Sequence, residues 1–201
     1  MLLLPGILAM AGVVVASNIL VQFLLGDWLT WGALTYPFAF LVTDVTNRIH
    51  GAAQARRIVL AGFATGVICS LIGAGLGVTT WRIALASGTA FLAGQLLDVV
   101  VFDRLRHGTW WRAPLVSSFL GSILDTALFF SIAFAGISAA TPEGWASAPV
   151  ALLGRGPEAP LWASLAVADW GIKMLLTIAA LGPFRLIVHK ILRGDGRKAL
   201  T

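Results

Sequence analysis

The chain has 201 residues, 58% of them hydrophobic and only 11% charged, against roughly 25% charged in an ordinary soluble domain. With a mean hydropathy of +0.89, its apolar runs exceed what a soluble core of this size buries, so one polytopic membrane domain over residues 1–201 is expected. The net charge of +5 does not point to nucleic acid, because the basic residues are scattered between apolar runs, and the lone Cys69 can form no internal disulfide.

A spanning helix needs about 20 mostly apolar residues. Six stretches qualify, from Leu2 to Leu25, Thr30 to Asn47, Val59 to Val78, Ala84 to Arg104, Pro114 to Gly136, and Leu161 to Pro183. The expected fold is therefore an all-α membrane protein of six transmembrane helices. The first stretch lacks the basic leader and cleavage site of a signal peptide and is too long for one, so it is expected to be retained. Pro37, inside the second, removes a backbone donor and leaves the Ala33 carbonyl unpaired, which predicts a kinked or broken span beside a cavity. In the third, Gly62, Gly66, Ser70 and Ala74 form a smooth ridge for a neighbouring helix.

Eleven basic residues follow the second, fourth and sixth stretches: Arg48, Arg56, Arg57, Arg104, Arg106, Arg112, Arg185, Lys190, Arg193, Arg197 and Lys198. Only Arg82 and Arg155 fall on the opposite side, so both termini are expected in the cytoplasm. Residues 185–201 then form a cytoplasmic basic tail, part of it lying along the anionic inner leaflet. Trp28, Trp31, Trp81, Trp110, Trp111 and Trp162 fall near the predicted span ends, where indole prefers the headgroup layer.

A charge near the bilayer centre costs about 2.5–3.5 kcal/mol on insertion scales, so intramembrane polar residues are candidates for a site. Asn18 and Gln22 on the first span align at helical spacing, as do Asp44, Asn47 and Arg48, then Gln95, Asp98 and Phe102, then Asp169 and Lys173. These groups, with Asp125 at the middle of the fifth span, are expected to turn inward onto a shared polar cavity. Asp169 and Lys173 are read either as a self-neutralising ion pair or as ligand groups, and Asp44 with Arg48 as a structural or gating pair. Asp125 has no charged neighbour on its own helix, so it must find a cation across the bundle, bind a polar ligand or hold a proton.

No enzyme motif is present: there is no G-x-S-x-G, no H-E-x-x-H and no phosphate-cradling loop. His50, His107 and His189 are too dispersed to suggest a metal site, and no cofactor is implied.

Four stretches carry a family resemblance: Tyr36 to Gly51 (YPFAFLVTDVTNRIHG), Ala90 to Arg106 (AFLAGQLLDVVVFDRLR), Ser117 to Phe130 (SSFLGSILDTALFF), and Asp169 onward (DWGIK, then GPFRLIVHKILR). Together they resemble the queuosine precursor transporter family, also called the vitamin uptake transporter family. The resemblance implies a multi-pass carrier of the inner membrane for 7-deazaguanine bases, the 7-cyano or 7-aminomethyl form, with Thr43, Asp44, Asn47, Gln95, Asp98, Asp125 and Lys173 at the family's motif positions and Trp170 beside the last span's acid. It also implies kinship with the binding subunits of energy-coupling-factor vitamin importers, which is the alternative reading together with a non-transporting assembly protein.

Such a base offers an amide N–H and an amine that one carboxylate accepts as a fork, a carbonyl that needs a donor, and a flat ring that an aromatic side chain covers. Asp98 or Asp125 is expected to take the fork, Gln95, Asn47 or Asn18 the carbonyl, and Trp170 or Phe102 the ring. Gln22, Asp44, Asp169 and Lys173 complete the expected binding set. Expected partners are the small-molecule base and membrane lipid; a second copy and an ATP-hydrolysing coupling module stay open, as do proton symport through Asp125 and facilitated diffusion.

Overall fold

A computed structural model describes residues 3–138 and 140–198, with side chains as far as residue 192. Leu2, where the first predicted span begins, and the side chains of Arg193, Arg197 and Lys198 in the predicted tail lie outside the described residues.

The first apolar run folds as helix α1, Leu3–Leu20, and stops short of the predicted Leu25. Strands β1 (Leu24–Leu25) and β2 (Leu29–Thr30) instead pair antiparallel around a turn in which Gly26 has φ +69°, a conformation that glycine adopts without a Cβ clash. Gln22 is consequently in the turn after α1 and not on the helix with Asn18, a correction to the expected alignment.

The second run forms two helical pieces, α2 (Trp31–Thr35) and α3 (Pro37–His50). Tyr36, between them, keeps right-handed helical angles of φ −56° and ψ −40°, while Pro37 has no N–H to continue the ladder. The next three runs form α4 (Ala52–Gly75), α5 (Trp81–Leu105) and α6 (Arg112–Phe134). Thr80 caps α5 by accepting from the Ile83 N–H at 3.2 Å, and Arg82 donates to the Ile132 and Ala135 carbonyls at the end of α6, where a cation favours the helix dipole. A second small hairpin, β3 (Pro149–Ala151) with β4 (Glu158–Pro160), leads into α7, Leu161–Lys198. That helix runs on through Pro183 into the predicted tail and is about 57 Å long at 1.5 Å per residue.

Among the described residues, five helices are long and apolar enough to cross a membrane: α1, α4, α5, α6 and α7 as far as Leu192. Large apolar side chains such as Leu8, Ile72, Leu85 and Leu175 point outward from them, as in a bundle bathed in lipid. Two small-residue contacts set the spacing inside. Gly62 and Gly66 on α4 face Met10 and Val14 of α1, so the predicted ridge packs there. On α5 and α6, a Cβ on Gly94 would lie 2.9 Å from the Gly121 carbonyl and a Cβ on Gly121 would lie 2.9 Å from the Gly94 carbonyl. This reciprocal approach brings the two backbones together and fixes where the acids of both helices fall.

Candidate functional site

Where α1, α4 and α6 end and α5 and α7 begin, on the side that carries both hairpins, the bundle surrounds an open cavity of about 680 Å³. That volume lies within the range of roughly 300–1,000 Å³ typical of small-molecule sites. Phe91, Phe129, Phe130, Phe134, Trp28 and Trp145 supply aromatic wall, and Asn18, Gln22, Asp27 and Glu143 supply polar wall. At the deep end sit Tyr36, Asp125, Asp169 and Lys173.

These last four form one network. Lys173 Nζ donates to Asp125 Oδ2 at 2.7 Å, to Thr126 Oγ1 at 3.0 Å, and pairs with Asp169 Oδ2 at 2.6 Å. All three ammonium protons are thereby engaged. Tyr36 Oη donates to the other Asp125 oxygen at 3.0 Å, and Thr126 donates to Asp169 Oδ2 at 2.8 Å. The ammonium also lies 5.3 Å from the Tyr36 ring centre, within cation–π range. Asp125 therefore finds its cation across the bundle, and Asp169 and Lys173, read from the sequence either as an ion pair or as ligand groups, are paired as one side of a triad. Among the described residues Asp169 Oδ1 accepts no hydrogen bond, and this side chain is 18% exposed where it lines the cavity. The cavity wall carries four acidic groups, Asp27, Asp125, Glu143 and Asp169, against one cation, Lys173.

The remaining expected residues lie elsewhere. Asp44, Asn47, Gln95 and Asp98 form a second, buried layer between α3, α5 and α6, away from the cavity lining. Thr43 donates to Gln95 Oε1 at 2.6 Å, Asn47 Nδ2 donates to the Val99 carbonyl at 3.0 Å, and Ser118 bonds both Asp44 and Asp98 at 3.3 and 3.4 Å. Phe102 is buried against Phe184, with the Arg48 guanidinium over its ring. Trp170 packs edge-on against Phe119. Neither ring lines the cavity. Arg48 makes no ion pair with Asp44; it donates to the carbonyls of Arg106, which caps α5, and of Trp110 in the connection to α6. The single expected cavity is thus two polar layers, and Gly94 against Gly121 separates them: Asp98 falls on one side of that contact and Asp125 on the other.

Residues 30–188 match the family model described as "Putative vitamin uptake transporter". The chain belongs to the vitamin uptake transporter family. It is similar to the "Queuosine precursor transporter" of Escherichia coli (strain K12), 36% identical, with 90% of this chain and 84% of that protein covered. It is also similar to the "Probable queuosine precursor transporter" of Haemophilus influenzae, 38% identical over 82% of this chain and 70% of the relative, and to that of Bacillus subtilis, 25% identical over 88% and 78%. No solved structure matches. With its apolar helices, this member of the vitamin uptake transporter family is a multi-pass membrane protein.

Sequence reasoning passed over Tyr36 as a site residue in this family member, although it is the single tyrosine of the chain and directly precedes Pro37. A phenol before a helix-breaking proline, inside an apolar span, is a signal that could have been weighed. The cavity's phenylalanines gave no such signal, since Phe129, Phe130 and Phe134 read equally well as core.

Proposed function

We propose that this protein imports a queuosine precursor, a 7-deazaguanine base, across the inner membrane by alternating access, with the cavity as its binding site. The observation that carries this reading is the buried Tyr36–Asp125–Lys173–Asp169 network on the wall of an aromatic-lined cavity of about 680 Å³, in a chain similar to proteins named queuosine precursor transporters. Asp169 Oδ1, free of internal partners, accepts the amine side of the base. Asn18, whose Nδ2 bonds the Val14 carbonyl, keeps its amide oxygen toward a ring N–H. Phe91, Phe129 or Phe130 covers the ring, in place of Trp170 or Phe102.

The acidic excess of the wall favours the cationic aminomethyl form over the neutral cyano form. Six crossings, with α2 and α3 together making the second, and both termini in the cytoplasm satisfy the distribution of arginine and lysine. The cavity then opens outward, toward incoming base. Residues 185–201 lie on the cytoplasmic side, with α7 carrying the basic segment as far as Lys198.

The test is uptake of labelled base by cells that lack precursor synthesis and carry either the wild type or Asp169→Asn. Accumulation of the modified tRNA nucleoside in the wild type, lost or sharply reduced in the variant, supports the reading. Equal recovery of the nucleoside without the protein overturns it.

A further inference from the structure

The second polar layer is as costly as the triad and lacks the triad's cation. Asp98 and Asn47 are fully buried, Asp44 nearly so, and one hydroxyl, Ser118 Oγ, stands between the two carboxyl groups, 3.3 Å from Asp44 Oδ2 and 3.4 Å from Asp98 Oδ1. No lysine or arginine among the described residues is within ion-pair distance of either. Around the pair, the polar side chains that α6 presents are Ser117 and Ser118, beside Pro114 and Gly121, and α7 presents Thr177, Ala180 and Phe184. The one nearby charged group on α3, Arg48, is turned to the carbonyls of Arg106 and Trp110, where its neighbour is Arg106.

Three atoms of this layer are buried without any partner: Asp98 Oδ2, Asn47 Oδ1 and Gln95 Nε2. Orphans of this kind are rare in a folded interior. Asn47 is one turn beyond Asp44 on α3, and its Nδ2 donates to the carbonyl of Val99, the residue next to Asp98. On the α7 side of Asp44 and Ser118, away from Asp98, there is a void of about 10 Å³, room for one water-sized occupant in reach of one carboxyl of the pair and far too small for a base. Two carboxyls buried together call for compensating positive charge, and the oxygens of Asp44, Asp98 and Ser118 are hard donors of the kind that a monovalent cation or a proton takes.

We propose that Asp44 and Asp98 form a second site, separate from the cavity, that holds the coupling cation of the transport cycle: a proton shared between the two carboxyls, or a Na⁺ between them. The site rests on the transport reading for its role but not for its existence. Its position explains how occupancy reaches the base. Ser118 and Asp125 lie on the same helix, α6, and Asp98 and Phe91 on the same helix, α5, on either side of the Gly94–Gly121 contact. Filling or emptying the pair acts on both helices that wall the cavity.

The experiment uses the full chain in nanodiscs and in proteoliposomes. Infrared spectra in heavy water at neutral pH are expected to show a protonated carboxyl that shifts in Asp44→Asn, in Asp98→Asn and in Ser118→Ala and disappears in the double variant Asp44→Asn, Asp98→Asn. If the site takes Na⁺ instead, that band is absent, and Na⁺ but not choline raises the melting temperature of the wild type and not of Asp98→Asn. Neither a carboxyl band nor a Na⁺ effect overturns the site.

For its role, one coupled cation allows about tenfold accumulation of base for each tenfold cation gradient. Asp98→Asn is expected to bind base with wild-type affinity and equilibrate it without accumulation, and accumulation that survives in Asp98→Asn overturns the coupling. A wild type that neither binds nor moves base defeats the transport reading alone, since the spectroscopic result stands without it.

Discussion

Replacing Lys173 by methionine keeps most of the side-chain volume and removes the charge. It leaves Asp125, 5% exposed, and Asp169, 18% exposed, without their cation, and Thr126 without one donor. Breaking a buried ion pair by removing one partner costs about 3–5 kcal/mol. Asp169 keeps some access to water in the cavity, which places the loss near the lower figure, about 3 kcal/mol. For a chain of this length each kcal/mol moves the melting temperature by roughly 2–4 °C, so Lys173→Met is expected to melt about 6–12 °C below the wild type.

The double variant Lys173→Met, Asp125→Leu removes the more deeply buried orphan as well and is expected to recover more than half of that loss, because an apolar replacement of a buried pair is close to neutral. Thermal unfolding of the purified proteins in detergent reads both. A Lys173→Met protein that melts with the wild type, or a double variant less stable than the single one, would refute the claim that Lys173 neutralises this network.

Other perturbations separate the parts of the site. Tyr36→Phe keeps the ring edge against Phe91 and the face toward Lys173 but drops the hydrogen bond to Asp125; calorimetric base binding should weaken by about 1 kcal/mol, roughly fivefold, with the fold intact. Gly94→Ala would place a Cβ 2.9 Å from the Gly121 carbonyl and from Asp125 Cβ, so α5 and α6 must separate; a loss of about 1–3 kcal/mol is expected in thermal unfolding. Thr80→Val removes the cap of α5 and the hydroxyl bonded to the buried Glu143; it should lower stability by about 1 kcal/mol, while Ser, which restores the hydroxyl, should rescue it.

The long helices were legible because hydrophobic runs of that length admit one solution in lipid. Their ends were less so. α1 stops at Leu20 because Leu24 and Leu25 pair with Leu29 and Thr30, a local hairpin that hydropathy does not distinguish from a continuing span. The pairing of Asp169 with Lys173 followed from their spacing on one helix. That Asp125 shares the same lysine did not, since spacing shows which residues share a face but not which face meets which. For the same reason one polar cavity was expected where there are two layers. The Gly94–Gly121 approach decides on which side of it Asp98 and Asp125 fall, and each glycine read in isolation is only a small residue in an apolar run.

The most direct test of base occupancy is cysteine protection at the cavity wall. In a Cys69→Ser background, Ser87→Cys places one thiol on that wall, and its labelling by a polar thiol reagent is timed with and without the aminomethyl base. Labelling should slow several-fold at base concentrations that saturate binding and recover when the base is washed out. An unchanged rate at saturation would place the base outside the cavity and contradict the account.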